Sequence, residues 1–317
     1  MLSTIPRATL LDGPTPLQPM RGIGAQLNHP KLWIKRDDCM SLALGGNKVR
    51  SLEYWLGEAL DRDCDVIVVA GATASNQCRL TAAAAAKLGL ECHILYAGND
   101  RTHPNLRIAE MMGPQIRFLG QVDEEERGLL AKRHVTELKA AGRRPYLIGD
   151  PVIGALGYAR AAQELFDQTR DQNVDLRHII LPGSMGVTEA GMIFGAAILD
   201  LPWTFHLVSV EYSEGALRSR IAGILNGLCG LTGFVPPSDM ANAVRIHMNQ
   251  LGQGYGTPTE DSLHASRLFG RFEALILEQT YVAKTFAGLI DIVAKREILP
   301  DEGSCILHTG GAPAALV

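Results

Sequence analysis

Several classes of protein are made improbable by what this chain lacks. Its six cysteines (Cys39, Cys64, Cys78, Cys92, Cys229 and Cys305) are scattered and contain no CxxC pair. Neither a disulfide framework nor a thiolate cluster is expected, and reduced thiols in the cytoplasm are. The nine histidines form no close His/Cys group along the sequence, so no metal site is expected. No apolar run reaches the roughly 20 residues that span a bilayer. The first residues, MLSTIPRATLLDGPTP, lack the basic segment and apolar core of a secretory signal. There is no basic block or charged tail, and the net charge is −4. Partners among nucleic acids or membrane surfaces therefore gain no support.

What is present is a globular pattern. The 317 residues are 46% hydrophobic and 20% charged, enough for one large or two ordinary domains. Short apolar runs alternate with helical patterns. Strands are expected at 65–70, 91–96, 116–119 and 145–148, with helices at 75–88 and 123–141 between them. The rhythm restarts with strands at 178–182, 204–211 and 304–308 and helices at 188–199 and 214–228. Such repetition predicts α/β units with parallel sheets covered by helices. No Pro- or Ser-rich linker divides them.

Five segments carry candidate chemistry. GGNK (Gly45–Lys48) delivers a lysine to a helix start, with Val49, Leu52, Leu56 and Leu60 spaced as one apolar face. The positive end of the helix dipole disfavours an ammonium there. That suits an amine that must be neutral for part of its work, as in a Schiff base with an aldehyde cofactor. GSMGVTEAGM (Gly183–Met192) follows a strand and opens a helix, where backbone N–H groups can cradle a phosphate. It contains no GxGxxG or GxxxxGK, so a dinucleotide or NTP site is not indicated. GATASNQ (Gly71–Gln77) offers Ser75, Asn76 and Gln77 at the carboxyl end of a strand, where α/β ligands bind. HTGGAP (His308–Pro313) presents Thr309 at another strand end, and a neutral hydroxyl beside a pyridine nitrogen would leave it largely unprotonated. GYG (Gly254–Gly256) and TYVAK (Thr280–Lys284) supply Tyr255 and Tyr281. Taken singly, each reads more readily as a surface lysine, a capped helix, a glycine turn or a packing residue.

As an ordered set, with KRDD (Lys35–Asp38) and GPTPL (Gly13–Leu17), they resemble one family along nearly the whole chain. The sequence is similar to the D-cysteine desulfhydrase and 1-aminocyclopropane-1-carboxylate (ACC) deaminase family of pyridoxal-phosphate (PLP) enzymes, which have the tryptophan-synthase-β-like fold type II. The resemblance implies a two-domain α/β fold, with 1–50 plus 158–317 forming a large domain and 51–157 a small one. It implies a homodimer. By similarity Lys48 holds PLP, Asn76 binds its phenolic oxygen, Gly186, Val187 and Thr188 bind its phosphate, and Thr309 faces its pyridine nitrogen. Ser75, Asn76 and Gln77 match the substrate-binding run, and Ser75, Tyr255 and Tyr281 match catalytic positions. Lys48, once freed by a substrate amine, would remove the α-proton.

The branches of the family differ at three of these positions. Gln77 agrees with the deaminases. Val282, however, stands where they carry a glutamate, and Thr309 stands where they carry leucine. Without a carboxylate at the pyridine the electron sink is weaker, which favours loss of a good leaving group over opening of a carbon ring. A β-eliminating lyase acting on D-cysteine or a related amino acid is therefore expected. An ACC deaminase, a cysteate sulfo-lyase-like enzyme and a non-catalytic amino-acid-binding protein are the alternatives. Departures from the family at Asp150–Pro151, at Val187 and in the shorter segment after Tyr96 leave the leaving group open.

Overall fold

The β-branched runs separated by helices build two sheets, and all but one of their strand pairs are parallel. The structure is a computed structural model that describes residues 2–236 and 240–316. The first sheet has the order β1 (Leu17–Pro19), β2 (Leu32–Arg36), β10 (Gly303–His308), β7 (Leu176–Gly183), β8 (Thr204–Ser209) and β9 (Val244–His247). Only β1 runs antiparallel, against β2. The second sheet, β5 (Gln115–Gly120), β4 (Glu91–Ala97), β3 (Val66–Ala72) and β6 (Pro145–Leu147), is parallel throughout.

Strand alternation sends side chains to both faces of the first sheet, and both are covered, as parallel sheets require. Leu181, Leu207 and Leu307 pack against α6 (Pro151–Asp171), α7 (Val187–Ile198) and α8 (Glu214–Thr232). Ile180, Val208 and Ile306 pack against α9 (Glu260–Glu273) and α10 (Val282–Ala294), with Ile23 of α1 (Arg21–Gln26) in the same cluster. Around the second sheet lie α2 (Lys48–Asp61), α3 (Asn76–Leu88), α4 (Pro104–Glu110) and α5 (Glu124–Ala140). The expected strands and helices agree with this layout to within a few residues. The short strands β1, β2 and β9 and the helices α4, α6, α9 and α10 were not anticipated.

The helix that begins at Lys48 differs from the expected one-faced helix. Val49, Leu52 and Leu56 are buried, but so are Arg50, Ser51, Glu53, Tyr54 and Trp55, whereas Leu60 is exposed. The cause is its position between the two halves. Trp55 and Leu56 belong to the core of the second sheet, while Tyr54 joins that of the first. The expected boundaries at 50/51 and 157/158 both fall inside helices, α2 and α6. These two helices cross closely at Gly157, where an added Cβ would lie 2.3 Å from the carbonyl oxygen of Arg50.

A buried polar knot fixes α2 from that crossing. Arg50 donates from Nε to Asp37 Oδ2 and from Nη2 to Asp37 Oδ1, both at 2.8 Å. Its Nη1 and Nη2 also donate to the two oxygens of Glu164 on α6, at 2.9 Å. Tyr158 donates to Asp37, and Lys35 donates to Glu164 and, at 2.6 Å, to the carbonyl of Thr15. Burial alone would raise the Asp37 pKa. The adjacent Arg50 guanidinium outweighs it and holds the carboxyl down, from 3.8 to about 2. This contribution to stability is complete above the ordinary carboxylate range and is lost as pH falls through about 2. Asp37→Asn leaves Arg50 partly unpaired in the interior. We expect it to lower unfolding stability by about 3–5 kcal/mol at neutral pH in chemical denaturation.

Candidate active site

The strand ends that carry the candidate motifs converge through backbone contacts. Asn47 N–H donates to the carbonyl of Thr309 at 2.9 Å, and Gly46 N–H to that of Asp37 at 3.1 Å. The GGNK and HTGGAP turns meet so closely that a Cβ on Gly310 would lie 2.5 Å from Gly46 Cα. Asn47 Nδ2 donates to Thr188 Oγ1 at 3.1 Å, which ties the same turn to the glycine-rich loop. Lys48, the first residue of α2, therefore stands where the ends of β2, β7 and β10 come together.

The turn after β3 is held to this cluster by a buried arginine. Arg79 donates from Nη2 to Gly45 O at 3.1 Å and from Nη1 to Ala43 O, and its Nε donates to Asn105 Oδ1 at 2.8 Å. Asn76 Oδ1 accepts from Arg79 Nη2 at 3.3 Å and from Asn105 Nδ2 at 3.1 Å. With its oxygen engaged twice, Asn76 keeps its Nδ2 as a donor for something else. Ser75 caps α3, its Oγ accepting from Cys78 N–H at 3.2 Å, so the hydroxyl proton remains to be donated. Gln77 follows in the first turn, half-buried. Arg79 and Asn105 were not singled out in the sequence, because their roles rest on contacts 26 to 36 residues apart.

Tyr255 and Tyr281 also meet, joined by a hydrogen bond between their hydroxyls. Burial, then Tyr255 and Glu278, push the Tyr281 phenol well above its ordinary pKa, which keeps it protonated. Val282 is buried at the start of α10. The nearby carboxylate of Glu278 accepts the N–H groups of Thr280, Tyr281 and Val282 at 2.7, 2.9 and 2.8 Å. Asp150 and Pro151, a departure from the family pattern, have a local structural role. Asp150 Oδ1 caps α6 by accepting from Val152 and Ile153 N–H, and Pro151 occupies its first turn.

Lys48 has no hydrogen-bond or ion-pair partner among the described residues, and neither does the hydroxyl of Thr309. Burial lowers the pKa of the Lys48 amine, and the carboxylates of Glu189 and Glu211 pull it partly back. An unpaired amine that loses its proton readily lies beside a glycine-rich helix start, which is the arrangement an aldehyde bearing a phosphate requires. The sequence pattern described as pyridoxal-phosphate dependent enzyme matches residues 8–310.

The chain belongs to this family. It is 31% identical to D-cysteine desulfhydrase of Salmonella paratyphi B over 99% of this chain and 96% of that one. A solved structure of an ACC deaminase homologue superposes with a TM-score of 0.91 at 31% identity, covering 99% of this chain and 94% of the other. A fungal L-serine ammonia-lyase from Rhizomucor miehei, with a TM-score of 0.71 at 18% identity, covers 96% of this chain and 94% of its own and shares the fold.

The groups left unspent fit the family's cofactor. Gly186 caps α7 with φ 86°, and the first-turn N–H groups of Val187 and Thr188 have no acceptor within the helix. One feature of this cup was not foreseen. Glu189, 3% exposed, turns back so that its carboxylate accepts Ser184 N–H at 2.6 Å. Burial raises its pKa, and N–H groups of Ser184, Glu189 and Gly186 offset part of the rise. The clue in the sequence was an acidic residue in the first turn of an anion-binding helix. A folded-state pKa above the ordinary 4.5 means that ionised Glu189 costs stability at neutral pH and that this cost disappears as pH falls through the carboxylate range. Glu189→Gln should therefore melt higher than the parent at neutral pH, with the difference closing on acidification. It should also retain PLP more tightly, because a carboxylate no longer competes for the N–H groups of this turn. Thermal melts across pH and equilibrium dialysis against PLP check both.

Proposed function

We propose that this chain is a PLP-dependent lyase that eliminates the β-substituent of D-cysteine or a closely related amino acid, releasing sulfide, pyruvate and ammonia. The support for this choice lies in the residues that the resemblance sets at the pyridine. Thr309 offers a neutral hydroxyl, Val282 offers no carboxylate, and Glu278 is spent on three backbone N–H groups. Bound PLP supplies an electron sink at the substrate α-carbon, and without a protonated pyridine that sink suits a good leaving group better than a carbon one.

Each residue then has a physical task. Lys48 anchors the cofactor through its amine and, when freed, takes the α-proton, which its lowered pKa permits. Asn76 donates from Nδ2 to the cofactor's phenolic oxygen, its own oxygen being held by Arg79 and Asn105. Val187 and Thr188 would present N–H groups to the phosphate, with Gly186 forming the turn that lets it approach. Ser75 and Gln77 bind the substrate's carboxylate. Tyr255 and Tyr281 share a hydrogen bond, and the half-buried Tyr281 phenol, its pKa raised, would hold a proton where the leaving group departs. A homodimer in the cytoplasm, with 1–50 plus 158–317 and 51–157 as its two domains, completes the reading.

Gln77 favours a second reading, an ACC deaminase. Assaying D-cysteine, D- and L-β-substituted alanines and ACC for 2-oxoacid and ammonia separates the two. Release of pyruvate and sulfide from D-cysteine, with no 2-oxobutanoate from saturating ACC, is the expected result. A protein that binds these compounds and releases no ammonia would be a binding protein instead. The purified protein should show the visible absorbance of lysine-bound PLP. Lys48→Ala should abolish that band and reduce kcat by at least about a thousandfold.

A further inference from the structure

Three histidines that are remote in sequence lie in one row across β7, β8 and β9, away from the candidate active site. His178 Nδ1 is 3.1 Å from His206 Nε2, and His206 Nδ1 is 3.0 Å from His247 Nε2. Ile180 pairs with His206 and Val208 with His247, so the row runs diagonally over the face that α10 covers. Each end meets a carboxylate from the segment between α10 and β10. His178 Nε2 lies 3.3 Å from Glu302, and His247 Nδ1 lies 4.0 Å from Glu297.

The two His–His contacts lie within hydrogen-bond distance, whereas His247 Nδ1, at 4.0 Å, does not reach Glu297. His178 Nε2 is buried and makes no hydrogen bond, with Glu302 3.3 Å away.

We propose that His206, His247 and Glu297 bind a divalent cation of the zinc class. One ligand atom from each lies within 4.8 Å of those of the other two. Two imidazoles on one zinc place their nitrogens about 3.3 Å apart, so the 3.0 Å separation of His206 Nδ1 and His247 Nε2 has to open only slightly. The cation takes the place of the proton at that junction. His206 Nε2–H donates to His178 Nδ1, and His178 Nε2–H donates to Glu302. That is the outer-shell support a metal-bound histidine normally has. Two nitrogens and a carboxylate suit zinc in preference to magnesium or calcium. The cation joins β9, which runs on into the segment carrying Tyr255, to the turn before β10.

The test uses the PLP-loaded enzyme, freed of metal with a chelator and titrated with Zn²⁺ by calorimetry. One Zn²⁺ per chain is expected, with a rise in Tm and, for Co²⁺, the visible bands of a four-coordinate site. His247→Asn and Glu297→Gln, both at partly exposed positions, should fold, keep the lysine-bound PLP absorbance and each weaken Zn²⁺ binding at least tenfold. Absence of stoichiometric uptake by the parent, or unchanged affinity in both variants, overturns the proposal. Because the readout is metal binding and not turnover, its failure would leave the lyase reading untouched.

Discussion

The fold around the candidate site depends on the pairing of Arg50 with Asp37 and Glu164. Two charges of each sign, counting Lys35, are taken out of water together, and the cost of burying any one of them is met only by the others. The knot joins the end of β2, the first turn of α2 and the middle of α6. Lys48 is two residues from Arg50, so the position of the amine follows from the geometry of the knot. Cores formed by apolar contact alone would tolerate some rotation of α2, but two parallel hydrogen bonds from a guanidinium to a carboxylate do not.

Once α2 is fixed, the site assembles mainly through backbone. The turns of GGNK and HTGGAP approach as closely as two glycines allow, and Asn47 bridges them to the helix start of α7. Arg79 does the same for the SNQ turn, using its guanidinium on two carbonyls and two asparagines. The result is an interior where donors outnumber acceptors: the N–H groups of α7, the Asn76 amide, the Ser75 hydroxyl and the tyrosine pair all have protons to give. A phosphate, a phenolic oxygen and a carboxylate complement that surplus. Glu189 is the exception, an acceptor placed inside the anion cup, where it also stabilises the ammonium form of Lys48.

Much of this was legible in the sequence, for reasons that are local. Strand alternation, helix periodicity and capping depend on neighbours within a few residues, so β3, α3, β7 and α7 could be placed closely. Lys48, Ser75, Asn76, Thr188 and Thr309 stood out as candidates because glycine turns at strand ends impose short, recurrent patterns. Short strands such as β1 and β9 escaped notice because three or four residues carry too little periodicity. The helix α2 was read as one-faced because the apolar spacing is visible in sequence, whereas α6 and the N-terminal segment, which bury its polar side, are not.

The sequence by itself determined the α/β class and the family, since these follow from residue types at short spacing. Tertiary structure decided which polar side chains were already spent. It committed Glu278 to the start of α10, Asp150 to the start of α6 and the oxygen of Asn76 to Arg79. It also brought together His178, His206 and His247, which show no cluster along the chain. Parallel strands place residues some 30 to 40 positions apart side by side, because every return to the sheet passes through a helix. Spacing in sequence therefore carries no sign of the row, and only the register of β7, β8 and β9 reveals it.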